Sequence, residues 1–266
     1  MNAKLSALGL GCLLAMNMAS AGIYTGATLG YQSNIQLGGD SSEWNGEVGR
    51  NTFNAFSVES EGHGVMGSLF LGYALDNLLH FGPVNGWLGL ELNGELNNID
   101  IEVRESNHIQ SINVPSSYFK FTGSNRLTQH GALGVTVHPG ISFTNNAKLY
   151  GIVGYEAGSF KAKSTFFSQE FVEGVPVASL ADGTIIKHKN QWLNGVRYGL
   201  GASYPVTSRV DLRAEFSQTD YGRVRLSGTD ASGGSLEEEF HPSSRTTSIG
   251  LVWNFDVPVA PAAYQK

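Results

Sequence analysis

HGALGVTVHPGISFTNNAKLYGIVGYE, residues 130–156, is the stretch whose reading decides the fold. In its first arm Leu133, Val135, Val137 and Ile141 share one face, and Gly134, Thr136 and His138 share the other. In its second arm Leu149, Val153 and Tyr155 alternate with Tyr150, Ile152 and Gly154. A period of two is the signature of a strand. Between the arms, Thr144-Asn145-Asn146-Ala147 is turn chemistry, because Asn tolerates left-handed backbone and bonds its own chain locally. The stretch predicts a hairpin with one apolar face and one small or polar face, which suits a sheet between two unlike solvents.

Working outward, the chain begins with Lys4, an apolar run from Leu5 to Met18, and the A-x-A site Ala19-Ser20-Ala21. This reads as a secretory signal peptide over residues 1–21, cleaved after Ala21. The run falls short of the ~18 apolar residues a spanning helix needs. Cys12, the only cysteine of the 266 residues, lies within it, and Leu10 stands where a lipoprotein site wants a small residue. The mature chain therefore has no disulfide and no thiolate metal site. Losing Lys4 moves the formal net charge from −6 to −7, and such an acidic chain does not suggest nucleic acid. The 34 glycines and the low charged fraction of 15% point to an all-β chain. No later stretch is apolar enough to span a bilayer as a helix, so any membrane insertion must be as a closed barrel.

Alternation recurs at Ile23–Gln32, His63–Leu75, Gly86–Asn98, the two arms of the hairpin, Gln191–Tyr204, Arg209–Tyr221 and Arg245–Phe255. That makes eight strands. Long mixed segments at 35–62, 99–126, 161–190 and 222–244 read as loops, with Thr184–Lys189 as an outward extension of the sixth strand. The connections between them are short. The expectation is an all-β, eight-stranded antiparallel transmembrane β-barrel with four long extracellular loops and three short periplasmic turns. It occupies residues 22–255, followed by a Pro/Ala-rich periplasmic tail at 256–266. Tyr31, Tyr73, Tyr155, Trp192, Tyr204, Trp253 and Phe255 stand near strand ends, as interfacial girdles require.

A soluble lipocalin-like barrel also alternates, with its apolar face inside. Three features favour the membrane. The polar face is rich in Gly and Ser, as a narrow lumen demands. It carries charges of both signs, Glu91, Glu95, Asp211 and Glu215 against Arg197 and Arg213, with Glu156 and His138 beside them. The apolar face carries almost no charge over the centre of eight strands. Acids and bases in a water-poor lumen must pair, because an unpaired charge there costs several kcal/mol.

Gly134-x-x-x-His138-Pro139-Gly140 followed by Lys148-Leu149-Tyr150-Gly151-x-Val153-Gly154-Tyr155 resembles the central hairpin of OmpA-type and opacity-protein-type, porin-like outer-membrane barrels. Gly195-x-x-Tyr198-Gly199-x-Gly201-Ala202-x-Tyr204, Arg213-Ala214-Glu215-Phe216 and Ser248–Phe255 are similar to the sixth, seventh and last strands of that family. The resemblance covers essentially the whole mature chain in strand order. It implies a place in the outer membrane of a Gram-negative bacterium, among lipid and lipopolysaccharide. It also implies that Phe255 is the terminal aromatic read by the insertion machinery. The tail resembles the linker to a peptidoglycan-binding domain, which does not follow here. Family members carry a lumen salt-bridge network linked to weak gating. Glu91 and Glu215 stand at similar positions, but the family's lumen lysine in strand four has no evident match.

Three functions follow as expectations. The first is recognition or adhesion at the surface, with Trp44, Phe53, Phe56, Phe166, Phe167 and Phe171 as loop anchors for a host or surface ligand. The second is a low-conductance porin-like channel, restricted because eight strands leave a lumen that side chains largely fill. The third is a lipid A-modifying enzyme at the rim, using His241 with Ser243 or Ser244 and an acid from Glu237–Glu239 in one loop. No fixed orienter accompanies that trio, so no catalytic role is expected. The scattered His residues give no metal-ligand spacing, and no cofactor is called for.

Overall fold

The computed structural model describes residues 20–36, 42–46, 49–53, 60–110, 117–177, 183–229 and 235–255. Residues 1–19 of the expected signal peptide, the tail and Phe56 lie outside the described residues, while Ser20 and Ala21, the end of that expected segment, begin the first strand.

The elements in chain order are β1 (Ser20–Gln36), β2 (Ser42–Gly46), β3 (Gly49–Phe53), β4 (Ser60–Asp76), β5 (His80–Phe81), β6 (Val84–Gln110) and β7 (Ser117–Phe143). They continue with β8 (Lys148–Val172), β9 (Val175–Val177), β10 (Gly183–Pro205), β11 (Val210–Tyr221), β12 (Val224–Thr229), β13 (Ser235–Phe240) and β14 (Pro242–Asn254). Eight of them close a barrel in the order β1-β4-β6-β7-β8-β10-β11-β14, with β14 returning to β1 and every pairing antiparallel. Closure removes the sheet edges that hydrocarbon does not tolerate.

The opening hairpin is β7 and β8. Asn146 takes the turn's left-handed conformation at φ 60°. The Phe143 N–H donates to the Ala147 carbonyl at 2.9 Å, and the Asn145 side-chain oxygen accepts from the Ala147 N–H at 3.1 Å. The short asparagine side chain bonds locally where a branched one would strain.

Leu133, Val135, Val137, Ile141, Leu149, Val153 and Tyr155 point outward and are exposed, while Thr136, His138, Tyr150, Ile152 and Glu156 are buried inside. The same split holds around the barrel: Leu29, Leu69, Leu71, Leu90, Leu92, Leu200, Phe216, Ile249 and Leu251 are outside. The seven aromatics expected at the girdles are all exposed on the outer wall. An apolar outside and a charged inside invert the order of a water-soluble barrel.

The segments read from sequence as loops contain much paired strand. β6 and β7 stay hydrogen-bonded up to Gln110 and Tyr118, and β8 stays paired with β7 up to Val172 and with β10 up to Gly183. The β4–β6 ladder, in contrast, ends at Gly67 and Leu96. Irregularities at Leu96/Ile99 on β6 and Gln129/Gly131 on β7 mark the level where this four-stranded sheet outgrows the barrel. Segments 35–62 and 222–244 contribute β2, β3, β12 and β13, which form a second small sheet. Alternation is enforced only where one face meets lipid. Above that level backbone pairing continues with mixed residues on both faces, so the pattern stops before the strands do.

Candidate functional site

The lumen holds two stacked charge clusters. In the lower one Arg213 of β11 makes a two-pronged contact with Glu91 of β6, Nη1 to Oε1 at 2.7 Å and Nη2 to Oε2 at 3.1 Å. Its Nε reaches Glu215 at 2.8 Å, and its Nη2 lies 3.2 Å from His138 Nδ1. Tyr24 donates to Glu91 at 2.8 Å and Tyr150 to Glu215 at 3.0 Å. The Phe70 ring lies 4.5 Å below the guanidinium, and the His138 and Tyr150 rings stack at 5.2 Å. The planar fork of Arg matches a carboxylate at two points, which Lys does not.

In the upper cluster Arg197 of β10 bridges Glu95 of β6 and Glu156 of β8, the second contact at 3.0 Å. Tyr221 donates to Glu156 and receives a bond from Gln129 at 3.1 Å. Gln32 and Asn97 continue the chain of amides toward the outside at 3.0 and 2.8 Å. Asp211 joins neither cluster. It lies 3.8 Å from Lys148 near the periplasmic mouth, where Lys148 also faces the Trp87 ring.

The six charges picked out in sequence therefore fall into three groups. Glu91, Arg213 and Glu215 meet, Glu95 and Arg197 meet, and Asp211 stands apart with Lys148. Glu156 and His138 join the upper and lower groups. The lumen tyrosines and amides escaped the reading by charge. Their signal was their place on the Gly-rich face. A Cβ on Gly72 would stand 2.2 Å from the Tyr24 ring, and one on Gly201 would stand 2.3 Å from the Tyr150 ring. Those glycines are the space the rings occupy.

Above the upper cluster Leu127, Phe160, Ala162, Leu193, Tyr221 and Val224 pack into an apolar plug. Below it, the cavity among Tyr24, Trp87, Glu91, Tyr150 and Arg213 measures about 20 Å³, room for about one water. A wider recess of about 270 Å³ lined by Asp76, Lys148, Asp211 and neighbouring amides opens only at the turn end.

The loop candidates sit on strands. Trp44 lies in β2, Phe53 in β3, and Phe166, Phe167 and Phe171 in β8, with Phe167 42% exposed. The trio at the rim is also rearranged. Ser243 and Ser244 are buried strand residues of β14 rather than loop residues, and Glu237–Glu239 belong to β13. β14 begins at Pro242 because pairing with β1 already starts there, at Gln36. Phe255 is exposed beyond β14, its N–H bonded to the Ile23 carbonyl at 3.0 Å.

A closed antiparallel barrel with lipid-facing aliphatics, aromatic girdles and a filled, charge-paired lumen is the architecture of an outer-membrane protein. The chain belongs to the outer membrane protein beta-barrel domain family, whose model matches residues 5–255. It is an outer-membrane β-barrel protein. No curated protein matches it in sequence. Among solved structures it is similar to the attachment invasion locus protein Ail of Yersinia pestis, solved in complex with the heparin analogue sucrose octasulfate, at 12% identity over 88% of this chain and 99% of that one, TM-score 0.30. It is similar to Neisserial surface protein A at 14% identity over 89% and 99%, TM-score 0.30. OprG of Pseudomonas aeruginosa aligns at 11% identity over 88% and 96%, TM-score 0.41.

Proposed function

We propose that this chain is a non-enzymatic surface protein whose β6–β7–β8–β10 sheet carries recognition or adhesion outside the cell. The observation that supports this reading is the continuity of the β6–β7 ladder from Ile99–Gln129 to Gln110–Tyr118, beyond the bulges. A paired sheet presents side chains with less ordering cost than a free loop, and aromatic residues on such a scaffold make good anchors. Phe166, Phe167 and Phe171 are the anchors of choice on β8, with Trp44 and Phe53 on the smaller sheet.

In this reading the lumen is scaffold. Arg197 and Arg213 tie β6, β8, β10 and β11 across the interior, and Asp211 pairs with Lys148 at the lower end. Phe255 serves as the insertion signal. A solute channel is disfavoured by the apolar plug and the narrow lower cavity, and rim catalysis by the burial of Ser243 and Ser244 in a strand.

The test keeps the barrel and removes the display. Excising residues 104–124 and joining Val103 to Asn125 through a tight turn preserves the register of that pair. The shortened protein should still migrate fast unboiled on a gel while attachment to host cells or surfaces falls. Undiminished attachment by that variant, and by one lacking residues 166–185 between the paired Thr165 and Ile186, overturns the proposal. Large, stable, solute-permeable steps in planar bilayers would instead favour the channel. Altered lipid A that reverts with His241→Ala would favour the enzyme.

A further inference from the structure

The outer wall of β7, β8 and β10 changes character at one level. Val135, Tyr155 and Val196 form one exposed apolar row across the three strands. Higher up, Trp192 of β10, paired with Ser159, is 58% exposed and closes the apolar band. The next two outward positions on β8 are Lys161 and Lys163, both exposed, and Lys163 pairs across with Arg126 of β7 and His188 of β10. From Ser159 to Phe167 on β8, and from Ile186 to Asn194 on β10, no outward position is acidic, in a chain of formal net charge −6.

The nearest acids on this face are Asp100 and Glu102 of β6, and Asp100 is occupied by Arg126 and Thr128. Arg126 is thereby neutralised. Among the described residues, Lys161, Lys163 and His188 have no carboxylate within ion-pair distance. Lys161 stands one outward step, ~7 Å along the strand, above the level of Trp192. The headgroup layer extends ~5–8 Å beyond the hydrocarbon. With strands tilted ~35–45°, Lys161 rises ~5 Å and Lys163 and His188 ~10 Å above Trp192. Lys161 therefore falls among the headgroups, and the flexible stem of Lys163 reaches down to them. Two lysines ~7 Å apart on a rigid ladder match two anionic groups of one headgroup.

We propose that Lys161, Lys163 and His188, directly above Trp192 on the outer wall, bind the phosphate groups of an outer-leaflet glycolipid such as the lipid A portion of lipopolysaccharide. The site is separate from the sheet tip that carries recognition, and it orients that sheet by fixing one side of the barrel to the leaflet. The same cations would also attract a soluble sulfated glycan. Their height against the girdle is what selects the lipid.

Full-length protein in detergent, titrated with diphosphorylated lipid A and followed by native mass spectrometry, tests the assignment. The K161Q/K163Q variant should bind about 30-fold more weakly than the unaltered protein, from about a fivefold contribution per lysine near an anionic surface. Fully dephosphorylated lipid A should bind as weakly to both. Exposed lysines leave the fold intact, so heat-modifiable migration should be unchanged. R209Q, which removes a cation at the opposite rim, should leave binding as it was. Unchanged affinity in K161Q/K163Q, equal affinity for the dephosphorylated lipid, or an equal loss in R209Q overturns the proposal. So does stronger binding of a soluble sulfated oligosaccharide than of the lipid.

Discussion

The inner and outer walls of this barrel are made by alternate residues of the same strands, yet they obey opposite rules. On β6, Leu90 and Leu92 face out with Glu91 between them, 3% exposed. On β11, Leu212 and Ala214 face out and Arg213 faces in. The outer wall is held by nothing specific, because one aliphatic meets lipid as well as another. Each inner position answers to named partners. The outer wall therefore sets where the protein resides, and the inner wall sets which barrel it is.

The contrast is broken most severely at Arg213. Replacing it with Met leaves Glu91 and Glu215 buried without their cation, and should cost ~3–5 kcal/mol. Reversible urea unfolding from lipid vesicles measures this, and adding Glu91→Gln and Glu215→Gln should recover most of the loss. A cost near zero would mean the charges are not coupled.

The converse insult places a charge outside. Leu69, 70% exposed on the lipid face, changed to Arg should cost ~2–4 kcal/mol near the bilayer midplane. The same unfolding assay reads it, and a cost that vanishes would place Leu69 away from lipid. Gly201→Leu tests the space on the inner wall. Its side chain would enter the Tyr150 ring, and overpacking of this kind costs ~1–3 kcal/mol. Indifference there would show that the ring has somewhere else to go.

The smallest effect belongs to the exposed pair above the apolar band. The hydrogen bond from Arg126 holds the Asp100 carboxyl below its ordinary value of 3.8, with Thr128 acting the same way against partial burial. A carboxyl lowered on folding contributes stability above its unfolded value, and that contribution disappears as pH falls from about 4 toward the lowered folded value. Unfolding titrations between pH 6 and 3 should show a slightly shallower acid loss for Asp100→Asn than for the unaltered chain. Solvent screening keeps the difference small.

Much of this was legible before any coordinates. The eight strands, their in–out parity, the Asn turn and the girdle aromatics all follow from a period of two, which lipid enforces strictly on one face. The lumen acids and bases were legible as a set because charge on a small-residue face has no other reason to be there. Their partners were not, since pairing joins residues as distant in sequence as Glu91 and Arg213. The tyrosines of the lumen were hidden by their own ambivalence. Tyr24 and Tyr150 stand on the small-residue face, but only the glycines opposite them, Gly72 and Gly201, show that the lumen has room for their rings. Ile99–Arg126 and Lys161–Asn190 read as loops because pattern fails above the lipid edge, although hydrogen bonding persists.

The sequence by itself determined that the chain is an outer-membrane β-barrel of eight strands with a charged interior, because the bilayer imposes one rule at every lipid-facing position. Tertiary structure alone decided that the interior charges split into separate clusters, that a cluster of apolar side chains packs above them, and that four strands continue outward as one sheet. Those outcomes depend on register across neighbouring strands. Register is set by the sum of many pairings and is written in no single stretch.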